Sequence, residues 1–117
     1  MVDTEERVSR LFAALADPTR RAIVERLASG DATINELADP FEMSQQAVSQ
    51  HVKVLEDAGL VSRRRVAQTR PCRLEPQPLA SVADWIAEQR DVWADRHDRL
   101  EEHLASLAEH STKSVPN

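Results

Sequence analysis

Apolar residues along this chain recur first with a helical period and later with a shorter one. Val8, Leu11, Phe12 and Leu15 stand at i, i+3, i+4 and i+7, one face of a helix over 4–15. Asp3 is placed to cap its first turn, with Glu6 three residues on. Asp17-Pro18 then offers an N-cap followed by proline at the first helical position, where a missing N–H costs nothing. Ile23, Val24 and Leu27 line the helix that follows, up to Gly30. Thr33-Ile34-Asn35-Glu36 has the capping-box spacing and Leu37 and Ala38 are expected to bury, while Pro40 disfavours helical geometry at Asp39. The third helix is therefore short. Ser44 opens a fourth, running to Gly59, a residue that can take left-handed geometry after a last turn.

From Leu60 the period changes. LVSRRRVA and PCRLE, bounded by Gln68-Thr69-Arg70, read as a two-stranded hairpin, with Pro71 at a strand start or an outward edge because it cannot donate to a ladder. After Pro76 and Pro78 a final helix of about 30 residues is predicted from Leu79 to near His110. Its apolar stripe is Leu79, Val82, Ile86, Trp93, Leu100, Leu104 and Leu107. The expected fold is mainly α with a β-hairpin (α+β), in the order α-α-α-α-β-β-α, as one domain over 1–110 with a flexible tail at 111–117. Short helix, turn, helix and hairpin in succession is the arrangement of a winged helix-turn-helix, whose second motif helix enters a DNA major groove.

Composition narrows the function. With 117 residues, 41% of them hydrophobic and 30% charged, there is material for one globular domain and no apolar run near the roughly 18 residues of a membrane span. The polar start, MVDTEERVSR, does not read as a leader, so the cytosol is the expected compartment. One cysteine, Cys72, excludes an intrachain disulfide and a cysteine-cluster metal site. A net charge of −5 argues against a polyanion partner until its distribution is seen. Lys53, Arg63, Arg64, Arg65, Arg70 and Arg73 face only Glu56, Asp57 and Glu75 over residues 44–75, a local +3 that leaves −8 on the rest. One basic surface on an acidic body suits a protein with a single polyanion-facing side.

On a helical wheel the fourth helix places Val48, Val52, Leu55, Ala47 and Val54 on one arc, the expected core. Gln46, Ser49, Gln50 and Lys53 take the opposite arc, with Gln45 at its margin. These side chains can read base edges: glutamine pairs with adenine, serine with several bases, lysine with guanine or phosphate. Acidic groups are absent until Glu56. In the hairpin Arg63 and Arg65 share one face and Arg64 the other, so Arg63, Arg65 and Arg70 near the tip are the candidate clamp on phosphates or the minor groove. His51 is expected as a partly buried packing residue. The last helix is too long for the remaining core to cover, so its stripe, including Trp85, Ile86, Trp93, Leu100 and Leu104, should meet a second copy of the chain.

The segments ALADPTRRAIVERL and INELADPFEMSQQAVSQHVKVLEDAGLVSRRR closely resemble the ArsR/SmtB family of bacterial winged-helix repressors. The most specific stretches are Leu15 to Arg21 and Ala47 to Leu55. The resemblance implies a homodimer built from the first and last helices, bringing in Leu11 and Phe12, which binds a two-fold-related operator and represses transcription until a signal releases it. It matches Ser44, Gln45, Gln46, Ser49, Gln50 and Lys53 to the recognition segment, all but Ser44 picked by the wheel.

Departures from that pattern bear on the signal. Glu36-Leu37-Ala38-Asp39 stands where metal-sensing members carry a Cys-x-Cys pair. On the last helix Asp95-Arg96-His97 matches the first half of a second metal motif, but Ala108 and Ser111 occupy the second half; His103 and His110 share a face. No metal or cofactor is therefore expected, and the chain resembles the subgroup without a metal site. The wing has Ala67-Gln68-Thr69 where a glycine is usual at the tip. A metal- or redox-responsive sensor, the latter through Cys72 with Arg70 and Arg73 near, and a winged helix used for protein contact are the alternative readings. The effector, if there is one, is left open. No glycine-rich phosphate loop, Gly-x-Ser-x-Gly or His-Glu-x-x-His is present, so no enzymatic activity is expected.

Overall fold

The computed structural model describes residues 4–113, with side chains as far as Glu109. Its elements are α1 (Thr4–Leu15), α2 (Pro18–Ala28), α3 (Ile34–Ala38), α4 (Gln45–Asp57), β1 (Val61–Arg63), β2 (Cys72–Leu74) and α5 (Pro76–Lys113). The chain divides into two compact units, one through Val82 and one from Ala83. The proposed caps Asp3 and the tail beyond Lys113 lie outside the described residues; the helix itself continues through 111–113, part of the expected tail.

Local signals set most boundaries in the first unit. Asp17 Oδ2 accepts from the Arg20 N–H at 3.0 Å with Pro18 opening α2. Thr33 and Glu36 complete a reciprocal capping box on α3. Ser44 Oγ takes the Ala47 N–H at 3.1 Å and starts α4. Leu11 and Ala14 of α1, Ile23 and Leu27 of α2, Leu37 of α3, Val48, Val52 and Leu55 of α4, and Leu60, Val61 and Cys72 around the hairpin form one core. Phe41 and Met43, in the turn between α3 and α4, pack against it. The hairpin pairs Val61 with Leu74, Ser62 with Arg73 and Arg63 with Cys72. Cys72 also exchanges backbone hydrogen bonds with Ala32 at 2.7 and 3.1 Å, which anchors the wing to the segment before α3.

Several expectations change. Leu11, expected at a dimer interface, is wholly buried in the intrachain core, because neighbouring positions on a helix point about 100° apart and α1 turns Leu11 rather than Phe12 inward. Val54 is 41% exposed instead of buried: α4 meets the core along the narrow line of Val48, Val52 and Leu55. The final helix begins at Pro76, not Leu79. Prolines act as breakers inside a helix, but the first-turn N–H groups have no intrahelical acceptor, so Pro76 and Pro78 fit there. The ladder is also shorter than the apolar runs, with an isolated bridge of Val66 and Thr69 closing the two-residue turn at the tip. Ala67 holds φ +56 in that turn, a position where glycine would be unstrained.

Gly59 has φ +84, and a Cβ there would meet open space. Its replacement should therefore cost backbone strain alone. Gly59→Ala is expected to lower stability by about 1–2 kcal/mol, read as a shift of the urea midpoint at unchanged slope; an unshifted midpoint would show that the turn relaxes.

In the second unit α5 carries an apolar row on its exposed surface: Trp93 (64%), Leu100 (54%), Leu104 (56%) and Leu107 (53%). Asp84, Glu88, Asp91, Asp95, Asp98 and Glu102 lie around the other side of the helix. Among the described residues no helix is long and apolar enough to cross a membrane.

Candidate nucleic-acid interface

The candidate reading surface is the outer face of α4. Its position follows from what lies behind it: Val48, Val52 and Leu55 are at most 1% exposed, which turns Gln45, Gln46, Ser49, Gln50 and Lys53 outward, with Ser44 exposed at the cap. None of the residues from Gln45 to Leu55 is acidic. The N-terminal half of α4 thus offers amide and hydroxyl groups without a carboxylate to repel phosphate. Lys53 Nζ lies 3.8 Å from Asp57 Oδ1, an exposed i,i+4 pair of the kind that is weak in water and easily exchanged for another anion. His51 is half-buried, as its place toward the apolar arc suggested.

The hairpin arginines separate into two kinds. Arg64, Arg65 and Arg70 are exposed. Arg63 is instead half-buried, with Nη2 donating to the Arg70 carbonyl at 3.2 Å and Nε shielded from water. The strict alternation that grouped Arg63 with Arg65 does not extend this far, since β1 ends at Arg63. Arg63 braces the wing; Arg65 and Arg70 present it.

Cys72 is completely buried. Burial pushes its thiol above the ordinary value, against the Arg63 guanidinium, which pulls it down. This corrects the redox alternative in two ways: the cationic neighbour is Arg63, not Arg70 or Arg73, and the net effect disfavours thiolate. Cys72 is expected to react with a maleimide at least about 100-fold more slowly in the native chain than in denaturant, and native reactivity near the unfolded rate would restore a sensing role.

Of the α5 histidines, His97 has partners. Trp93 and His97 stack with centroids 5.1 Å apart at 8°, and His97 Nε2 lies 3.3 Å from Glu101 Oε1. Among the described residues no group of three or more His, Cys, Asp or Glu side chains is placed to hold a metal ion; the His110 side chain lies outside them.

Two short helices joined by a tight turn, the second with a polar outer face, and a basic hairpin beside them define a winged helix-turn-helix. A helix-turn-helix domain family matches residues 15–64. The HTH-type transcriptional regulator Rv2034 of Mycobacterium tuberculosis is 47% identical over 81 residues, 69% of this chain and 76% of that protein. The transcriptional repressor SdpR of Bacillus subtilis is 32% identical over 79 residues, 68% of this chain and 88% of its own. Among solved structures, an ArsR family transcriptional regulator superposes with TM-score 0.73 at 40% identity, covering 80% of this chain and 97% of that one. A homodimeric winged helix-turn-helix DNA-binding domain from Mycobacterium bovis, a possible ArsR-family regulator, gives 0.60 at 28% identity over 83% of this chain and 90% of its own. The chain belongs to the ArsR/SmtB family of transcriptional regulators.

Proposed function

We propose that this protein is a homodimeric, sequence-specific DNA-binding repressor of the bacterial cytoplasm, lying on the nucleoid when bound. It sets α4 into the major groove of each operator half-site and the hairpin tip against the flanking backbone. The observation that carries this reading is the row Ser44, Gln45, Gln46, Ser49, Gln50 and Lys53, exposed on α4 above a buried aliphatic line and free of carboxylates. Glutamine and serine discriminate among bases, whereas a merely solvated helix face gains nothing from excluding acids. The homodimeric neighbour and the repressor relative support the assembly and the direction of regulation. A second copy covers the α5 row of Trp93, Leu100 and Leu104, with Ile86 and Trp85 along the same helix and Phe12 on α1. A two-fold dimer spaces its recognition helices for half-sites about one helical turn apart.

Selection from random duplexes, followed by titration across salt, tests the reading. A two-fold-related consensus is expected, with log affinity falling by about 0.9 per phosphate contact for each unit of log salt. Arg65→Ala and Arg70→Ala should each weaken consensus and random duplexes alike and shallow that slope by about 1, whereas Arg63→Ala should act mainly through wing stability. A chain that ignores every duplex at about 50 mM salt is not a DNA reader.

A further inference from the structure

We infer that Arg20 is a positioning residue for the recognition helix, fixing the rotation of α4 by tying His51 to the end of α1. This rests on the DNA-reading role proposed above for the polar face of α4.

Arg20 is a partly buried residue of the first turn of α2. Its Nε donates to the Ala14 carbonyl at 2.6 Å and its Nη2 to the Ala13 carbonyl at 3.1 Å, which also accepts the Ala16 N–H at 3.3 Å; both carbonyls belong to the last turn of α1. The planar guanidinium then has its third corner, Nη1, 3.4 Å from Nδ1 of His51 on α4. Its own backbone N–H is held by Asp17 Oδ2, and that same oxygen lies 3.9 Å from His51 Nδ1. The Asp17 carboxyl is kept below its usual range, first by the Arg20 N–H and further by the charge of the Arg20 side chain, so the anion persists. Arg20 cannot swing away from His51 without breaking both bonds to α1.

Two features make this more than a clasp between helices. First, a guanidinium only donates, so Nδ1 of the neutral ring must accept and the ring proton sits on Nε2. Second, His51 follows Gln50 directly and lies between Ser49 and Lys53. The aliphatic contacts of Val48, Val52 and Leu55 set how deep α4 lies, but apolar contact is non-directional and constrains rotation weakly. Turning α4 by about 10° moves groups 5–6 Å from its axis by about 1 Å, enough to spoil a bidentate base contact. A directional tie at His51 holds that angle.

The test uses the full-length chain. In the DNA-free protein, nitrogen spectra of the neutral His51 ring are expected to show Nδ1 without a proton, and Arg20→Lys, which keeps the charge but loses the fork, should shift that signal. His51→Leu should lower affinity for the selected operator about tenfold while leaving random-duplex affinity, salt slope and melting temperature near those of the parent. His51→Gln, whose carbonyl can accept from Arg20, should recover most of the loss. Adding Arg20→Lys to His51→Leu should cost nothing further. Parental discrimination in His51→Leu, additive losses in the double variant, no recovery in His51→Gln, or a proton on Nδ1 of the neutral ring overturns the inference. If Arg20→Lys does not fold, the His51 pair and the parental ring spectrum decide. A parent that binds no duplex overturns the DNA-reading proposal itself; a parent that binds normally with indifferent variants overturns only this one.

Discussion

Leu100→Glu and Leu104→Glu together are expected to convert the proposed dimer to a monomer and to weaken operator binding about 100- to 10,000-fold. Both leucines are more than half exposed, one turn apart on α5, in the row that continues through Trp93 and Leu107. Fully burying a leucine contributes about 1.5–3 kcal/mol, and with a little over half of each still exposed the two from each protomer supply about 3–6 kcal/mol of association energy. That is comparable to the roughly 4–15 kcal/mol lost in translational and rotational freedom when two chains join. Removing it, and adding two carboxylates to each helix, which already bears Asp95, Asp98, Glu101 and Glu102, leaves too little to offset that cost. The operator penalty follows because a monomer engages one half-site and loses the effective concentration of the second. Sedimentation equilibrium at micromolar concentration and titration of the operator check the two parts separately. A double variant that stays dimeric would move the interface off α5, and a monomer that keeps parental operator affinity would remove the need for two-fold binding.

What the sequence disclosed is unevenly distributed, and the reason is range. Asp17-Pro18, the Thr33/Glu36 box, Ser44 and Gly59 each act within about four residues of themselves, so their meaning survives without knowledge of the rest of the chain. The exposed polar row on α4 was legible for the same reason, since one helical period sorts it from Val48, Val52 and Leu55. Burial at a margin was less accessible. Leu11 and Phe12 are adjacent and equally apolar, and only the placement of α2 and α4 decides which one the core takes. Val54 was misplaced because a wheel gives an arc, while the width of the buried arc depends on how many neighbours α4 has. Arg63 looked like Arg65 in a period-two reading, yet the strand ends between them and the Arg70 carbonyl captures one guanidinium.

Arg20 marks the far limit of sequence reading. It sits in a segment that the family resemblance singles out, but its contact with His51 spans 31 residues and its other acceptors are backbone carbonyls, which carry no side-chain signature. Arg21 is a similar case, holding the Leu15 and Ala16 carbonyls at 2.8 and 3.0 Å. Two consecutive arginines at the start of a helix normally suggest a basic surface, and the start of a helix is an unfavourable place for cations. Here both guanidiniums turn back onto the C-terminal end of α1, where carbonyl dipoles favour them. The pair serves the junction of α1 and α2, and the charge proposed to face DNA is left to Lys53 and the wing.

Gln50→Ala should separate reading from mere adhesion. Gln50 is exposed on α4 between the half-buried His51 and Ser49, and among the described residues its side chain makes no hydrogen bond, so its loss should leave stability within about 0.5 kcal/mol. A glutamine amide that pairs bidentately with an adenine edge contributes about 1–3 kcal/mol of discrimination, a roughly 5- to 150-fold drop in affinity for the selected operator. Random duplexes, held by phosphate contacts that Gln50 does not make, should bind the variant as they bind the parent, with the same salt slope. The sharper signature is positional: repeating the selection with Gln50→Ala should relax one symmetric pair of operator positions and leave the others intact. Uniform weakening on all duplexes would assign Gln50 to the backbone, and an unchanged consensus would remove it from the reading surface, passing that role to Ser49 and Gln46.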